Sequence, residues 1–271
     1  MDKAVEIIIY LAIALIGLCI GSFLNVLIYR LPLGMNIASP PSHCPGCKKK
    51  IKWYDNIPLL SYIILGGKCR HCKTKISPRY FIVELVNLLL WITVLIIFKI
   101  SVYSVIFLLL ASILLAIIYI DFEHQIIPDS LNIAIGILGV IVTVYSIFDP
   151  VVPSIFGNFT VVWWERLAGG LGGGLLFAAI FYFYLWVRKK EGLGGGDVKL
   201  IAALGLVLGY KLTILCIGFS AIFACLYLLV MKLAKKLEAD KPFAFGPFLA
   251  SAAFTALVVG DCLINLYLSL F

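Results

Sequence analysis

Long apolar runs separated by short polar stretches dominate this chain. Ile7 to Tyr29 is 23 residues without a charge, and further apolar runs cover Phe81 to Phe98, Val102 to Ile120, Leu131 to Phe148, Leu167 to Val187, Val198 to Leu208, Leu212 to Met231 and Phe248 to Leu268. A helix rises about 1.5 Å per residue, so roughly 20 residues cross the hydrocarbon of a bilayer. The pattern predicts an all-α polytopic membrane protein of about eight transmembrane helices. The sixth run is the exception, with 11 residues and Lys199 inside it. A straight helix of that length falls short of about 30 Å. Either the glycine loop before it dips into the membrane, or Gly209 to Lys211 lies below the surface. The first run is too long for the core of a signal peptide and is expected to be retained.

Composition supports this reading: 63% of the 271 residues are hydrophobic and 13% charged, whereas ordinary soluble domains are about half apolar. The net charge of +8 does not indicate nucleic acid, because the basic residues lie between apolar runs rather than on one folded face with stacking aromatics. It reports topology instead. Arg30 to Arg79 contains ten Lys and Arg against one acid, Asp55, and basic connections stay on the cytoplasmic side. Eight spans then place Arg188 to Lys190 and Lys232 to Lys241 on that side and both termini outside. The expected division is a first span (1–29), a cytoplasmic loop domain (30–80) and a transmembrane domain (81–271).

The loop carries Cys44-Pro-Gly-Cys47 and Cys69-Arg-His-Cys72. Two such knuckles, 21 residues apart, match a tetrahedral four-cysteine zinc site, in which the metal replaces a core that about 50 residues could hardly build. Disulfides are the competing reading, and a cytoplasmic, reducing location disfavours them. His43 and His71 flank the knuckles; either could replace a cysteine as ligand, but both read more simply as surface residues. Cys19, Cys216, Cys225 and Cys262 are scattered through apolar runs and read as small hydrophobes.

Two carboxylates stand out. Asp197 lies in Gly192-Leu-Gly-Gly-Gly-Asp-Val-Lys199, where glycines let the backbone turn, visit positive φ and approach another segment closely. Asp121 ends the third apolar run, ahead of Ile127-Pro128-Asp129. Two carboxyls held together away from water share a proton, which is the aspartic-peptidase arrangement of one base and one acid. The plainer alternative is that Asp121, Glu123, Asp129 and Asp197 are interfacial carboxylates or cation ligands. No nucleophile triad competes, since Gly-x-Ser-x-Gly is absent and His124 is the only histidine outside the loop. Gly169 to Gly174 lacks the Gly-Lys-Ser/Thr ending of a phosphate loop and reads as a helix-packing stripe. Glu84, costly against lipid, should point into protein, with a basic partner as its simplest explanation.

Taken together, Gly21-Ser-Phe-Leu-Asn-Val26, Tyr29-Arg-Leu-Pro32, both cysteine knuckles, Trp53-Tyr-Asp-Asn-Ile-Pro58 with Ser61-Tyr62, Asp121 with Ile127-Pro-Asp129, Gly194-Gly-Gly-Asp-Val-Lys199 and Phe245-Gly-Pro-Phe248 resemble the bacterial type IV prepilin peptidases over nearly the whole chain. The resemblance implies a bifunctional enzyme. One activity cuts a basic leader from type IV prepilins and pseudopilins after a glycine, on the cytoplasmic side of the bacterial plasma membrane. The other N-methylates the new terminus with S-adenosylmethionine. It further implies Asp121 and Asp197 as the catalytic dyad, with Asp129, Gly194, Gly196 and Lys199 in support, and Cys44, Cys47, Cys69 and Cys72 around a structural zinc. Two other readings stay open: an intramembrane Gly-x-Gly-Asp protease of the presenilin type, which lacks a zinc loop, and a non-catalytic zinc-anchored scaffold.

Overall fold

A computed structural model of the chain describes residues 3–189, 194–235 and 243–270. Among these residues the helices are α1 (Lys3–Arg30), α2 (Leu60–Ile64), α3 (Pro78–Phe98), α4 (Val102–His124), α5 (Asp129–Phe148), α6 (Trp163–Arg188), α7 (Gly195–Leu208), α8 (Tyr210–Leu233) and α9 (Gly246–Leu268). A two-stranded antiparallel hairpin, β1 (Val151–Val152) and β2 (Phe159–Thr160), precedes α6. Seven helices among the described residues are long and apolar enough to cross a membrane, and α7 is the short eighth of the expected set. The chain forms two compact units, Met1–Leu95 and Ile96–Phe271.

In the first unit, α1 meets α3 along small and amide side chains. A Cβ on Gly17 would lie 2.8 Å from the Trp91 ring, and one on Gly21 would lie 3.1 Å from the backbone of Glu84. The close approach lets Asn87 Nδ2 donate to the Gly17 carbonyl at 2.7 Å, while Asn25 Nδ2 donates to the Tyr80 carbonyl at 3.1 Å. Between apolar helices in lipid, close backbone contact and such polar bonds hold the seam, because lipid tails are as apolar as the side chains. Glu84 does point inward. It accepts the Leu59 N–H at 2.8 Å, so a strained backbone amide (Leu59 φ +59°) meets its carboxylate. Arg30, at the end of α1, donates to the carbonyls of Asn36, Ile37 and Pro40 and folds the start of the loop back on the helix.

In the second unit α7 is the centre, packed against α5, α6, α8 and α9. Its 14 residues span only about 21 Å at 1.5 Å per residue. Leu200, Ile201, Leu204, Val207 and Leu208 are all buried, as befits a helix that is apolar on every side. The glycines of α6 make room for it. A Cβ on Gly205 would lie 2.3 Å from the backbone of Gly169, one on Gly170 2.8 Å from the Leu206 side chain, and one on Gly174 2.9 Å from Ala202. The stripe Gly169 to Gly174 is thus a packing surface, with no phosphate cradle. Gly209 (φ +79°) stops α7 beneath Val161, whose Cγ1 a Cβ there would meet at 2.7 Å. Gly209 is buried against the segment leading into α6, whereas Tyr210 is half-buried and Lys211 exposed, so protein covers the end of α7 at the glycine itself.

Candidate active site and metal centre

Asp121 sits in the last turn of α4, which is sealed by Gln125 in the left-handed conformation with its N–H on the Asp121 carbonyl. Asp197 is the third residue of α7. Their exposures, 4% and 6%, are those of core residues, which carboxylates reach only for a reason. Three contacts bring their surroundings together. The backbone of Gly246, the first residue of α9, stands so close to Asp121 that a Cβ there would lie 2.5 Å from Oδ2. The Ile127 side chain fills the space beside both: it is 2.8 Å from that same Gly246 position and 3.1 Å from the position a Cβ would take on Gly196. Ile127 thus lies between the glycine that packs on Asp121 and the glycine that precedes Asp197.

Asp197 Oδ2 accepts the Gly194 N–H at 3.2 Å, which is half of a capping box and relieves one orphan donor of the helix start. Capping accounts for that oxygen alone. Oδ1 is buried without a partner among the described residues, and a buried polar atom left unpaired is unusual enough to mark an acceptor kept for a donor. The glycine frame works by space rather than by handedness. Gly194 has φ −71° and ψ 138°, Gly195 and Gly196 are helical, and none of the three has positive φ. The expectation of positive φ in this loop is therefore corrected for these residues: a side chain on Gly194 would press on Asp197 and one on Gly196 on Ile127. Gly192 and Leu193 lie outside the described residues.

Asp129 is of a different kind. It starts α5 and pairs with Lys199 at 2.7 Å, with 65% and 58% of the two side chains exposed. The pair ties the start of α5 to the first turns of α7. Residue spacing could not foresee Ile127, which is an ordinary apolar residue in sequence, nor Asn132, a buried amide on α5 whose Nδ2 reaches the Gly196 carbonyl at 3.4 Å. The only signal for Asn132 was an amide inside an apolar run.

The four cysteines converge as their spacing predicts: the Sγ atoms of Cys44, Cys47, Cys69 and Cys72 all lie within 4.8 Å of one another, and among the described residues no other ligand type joins the group. The two knuckles repeat each other at an offset of 25 residues. Cys44 and Cys69 donate N–H to the carbonyls of Lys49 and Thr74, Lys48 and Lys73 donate back to Cys44 and Cys69, and both lysines have φ near +60°. Isolated bridges close them at His43 with Lys50 and at Lys68 with Lys75. His43 and His71 are exposed and stay outside the cluster, as expected. The thiols compete for ionisation. The Thr74 hydroxyl draws Cys72 down to about 6, whereas Cys47, in spite of the Lys49 backbone N–H, is pushed up to about 11 by desolvation and the three neighbouring sulfurs. Only a cation at the centre lets all four ionise together, so the donor set fits a metal that prefers tetrahedral sulfur. Nearby, Arg70 grips Asp55 with three hydrogen bonds of 2.5–2.9 Å and holds its carboxyl below the usual carboxylate range.

These features define a multi-pass helical membrane protein with two buried aspartates in its bundle and a cluster of four cysteine sulfurs able to hold a metal ion in a loop. The profile of the Bacterial Peptidase A24 N-terminal domain matches residues 15–98, and that of the Type IV leader peptidase family matches residues 108–229. A prepilin leader peptidase/N-methyltransferase of Pseudomonas aeruginosa is 35% identical, covering 94% of this chain and 91% of the relative. Proteins of the same description from Stutzerimonas stutzeri (36% identical, 93% and 91% covered) and Legionella pneumophila (32%, 96% and 94%) are similar throughout. The chain belongs to the type IV leader peptidase family. No solved structure matches it.

Proposed function

We propose that this chain cleaves the basic leader from type IV prepilins and pseudopilins after a glycine and N-methylates the residue so exposed, with Asp121 and Asp197 as the catalytic pair. The observation that carries the peptidase assignment is the burial of both carboxyls with one Asp197 oxygen free of any partner among the described residues. One carboxylate takes a proton from water as the water oxygen bonds to the scissile carbonyl carbon. The protonated partner hydrogen-bonds to the carbonyl oxygen and then protonates the departing amine as the C–N bond breaks. Asp129 and Lys199 hold α5 to α7, and Gly194 and Gly196 leave room for Asp197 and Ile127.

Cys44, Cys47, Cys69 and Cys72 would hold a zinc ion, which supplies folding energy to a loop without a sizeable core. The loop distinguishes this reading from a presenilin-type protease. S-adenosylmethionine is the methyl donor that the family relationship supports, and the acceptor is the new N-terminal amine. The ten basic residues of Arg30 to Arg79 favour a cytoplasmic position for the loop, within the bacterial plasma membrane. The test is purified protein with a pilin precursor and S-adenosylmethionine, followed by mass spectrometry. Loss of the leader and a gain of one methyl are expected; full cleavage by Asp197→Ala would overturn the peptidase assignment.

A further inference from the structure

Asn132 lies three residues after Asp129 on α5 and is 5% exposed. Its Nδ2 donates to the carbonyl of Gly196, the peptide unit that leads into Asp197. This contact fixes the amide's orientation, since the flipped amide would set two carbonyl oxygens against each other. Its Oδ1 is buried without a partner among the described residues. Asn132 Oδ1 and Asp197 Oδ1 are thus two unsatisfied, buried acceptors joined through one peptide unit, and buried amide oxygens are seldom left so. The helical N–H groups of α5 beyond its first turn are engaged within the helix and cannot supply the donor.

A peptide about to be cut can. To present its scissile bond, the segment must leave helical geometry, which strips its main-chain N–H groups of their i−4 carbonyls; in apolar surroundings each unmet N–H is costly. We propose that Asn132 Oδ1 accepts a main-chain N–H of the substrate beside the scissile bond, and so holds the extended peptide in line with Asp197. Asn132 then selects for an unwound peptide backbone rather than for any side chain. This inference rests on the aspartyl-peptidase reading above.

Precursor peptides in which one amide flanking the scissile bond is replaced by an ester lack that N–H without added bulk. With wild-type protein, one ester position is expected to lower kcat/KM by about 10-fold, as for a hydrogen bond lost to a buried acceptor. Asn132→Leu should lose a similar factor on the all-amide peptide and show no further loss with that ester, while esters elsewhere act alike in both proteins. Asn132→Ser, with circular dichroism as the fold check, serves if the leucine variant does not fold. Equal ester effects in wild type and variant at every position would overturn the proposal, leaving Asn132 a water-satisfied structural amide. Asp197→Asn is run alongside: if it cleaves the all-amide peptide at the wild-type rate, the aspartyl reading fails, a result separate from the ester comparison.

Discussion

In the loop, four sulfurs come from two short knuckles that repeat each other, and their backbone bonds are nearly all local. In the bundle, two carboxyls come from helices far apart in sequence and share surroundings only because Gly246, Gly196 and Ile127 pack around them. The first site is built from spacing and the second from packing. A knuckle needs only a few residues of correct geometry and a cation; a buried carboxyl needs several helices in register, with small residues wherever they approach most closely. The two regions should therefore fail in different ways.

The largest expected effect separates them. Asp121→Asn or Asp197→Asn should lower cleavage by about 10²–10⁴-fold, the range for a lost general acid or base. Methylation of an already cleaved peptide should persist, with helical content unchanged by circular dichroism. Next, Cys44→Ser, Cys47→Ser, Cys69→Ser or Cys72→Ser should release the metal and expose the loop to hydrogen exchange, since structural zinc contributes on the order of 10 kcal/mol to folding such sites. Methylation should fail before cleavage does. Equal loss of both activities in one cysteine variant would show that the regions are not separable.

Glycine substitutions test the packing side. Gly205→Ala places a carbon 2.3 Å from the Gly169 backbone and should cost roughly 1–3 kcal/mol, the usual range for overpacking, read as a lower thermal midpoint in detergent. Gly246→Ala instead crowds Asp121 and Ile127. Cleavage should fall up to about 100-fold, because small displacements of a reacting group are costly, with less change in stability. The smallest effect belongs to Asp129→Asn or Lys199→Met. That pair is more than half exposed, so its loss should cost only about 0.2–1 kcal/mol, and the difference should shrink as salt is raised.

Much of this molecule was legible in the sequence, and unevenly so. The apolar runs located the helices because length and hydropathy are local properties, and the zinc-type spacing located the sulfur cluster for the same reason. The short sixth run showed as an anomaly, yet where it ends, at Gly209 with positive φ against Val161, required the fold. The glycines before Asp197 were visible, but their use was misread, because sequence does not distinguish a glycine needed for positive φ from one needed for space. Asp129 and Asp197 look equivalent as residues; that one is exposed and paired with Lys199 while the other is buried beside Asp121 is a fact of packing. Glu84 finding a backbone amide rather than a cation is another.

The most direct test of the aspartyl pair is a double-mutant cycle on cleavage of a pilin precursor by wild type, Asp121→Asn, Asp197→Asn and the double variant. Two residues acting as one unit lose almost everything when either is removed. Both single variants and the double variant should then fall to the same residual rate. A double variant slower by the product of the two single losses, or an Asp197→Asn variant that cleaves at the wild-type rate, would contradict the account.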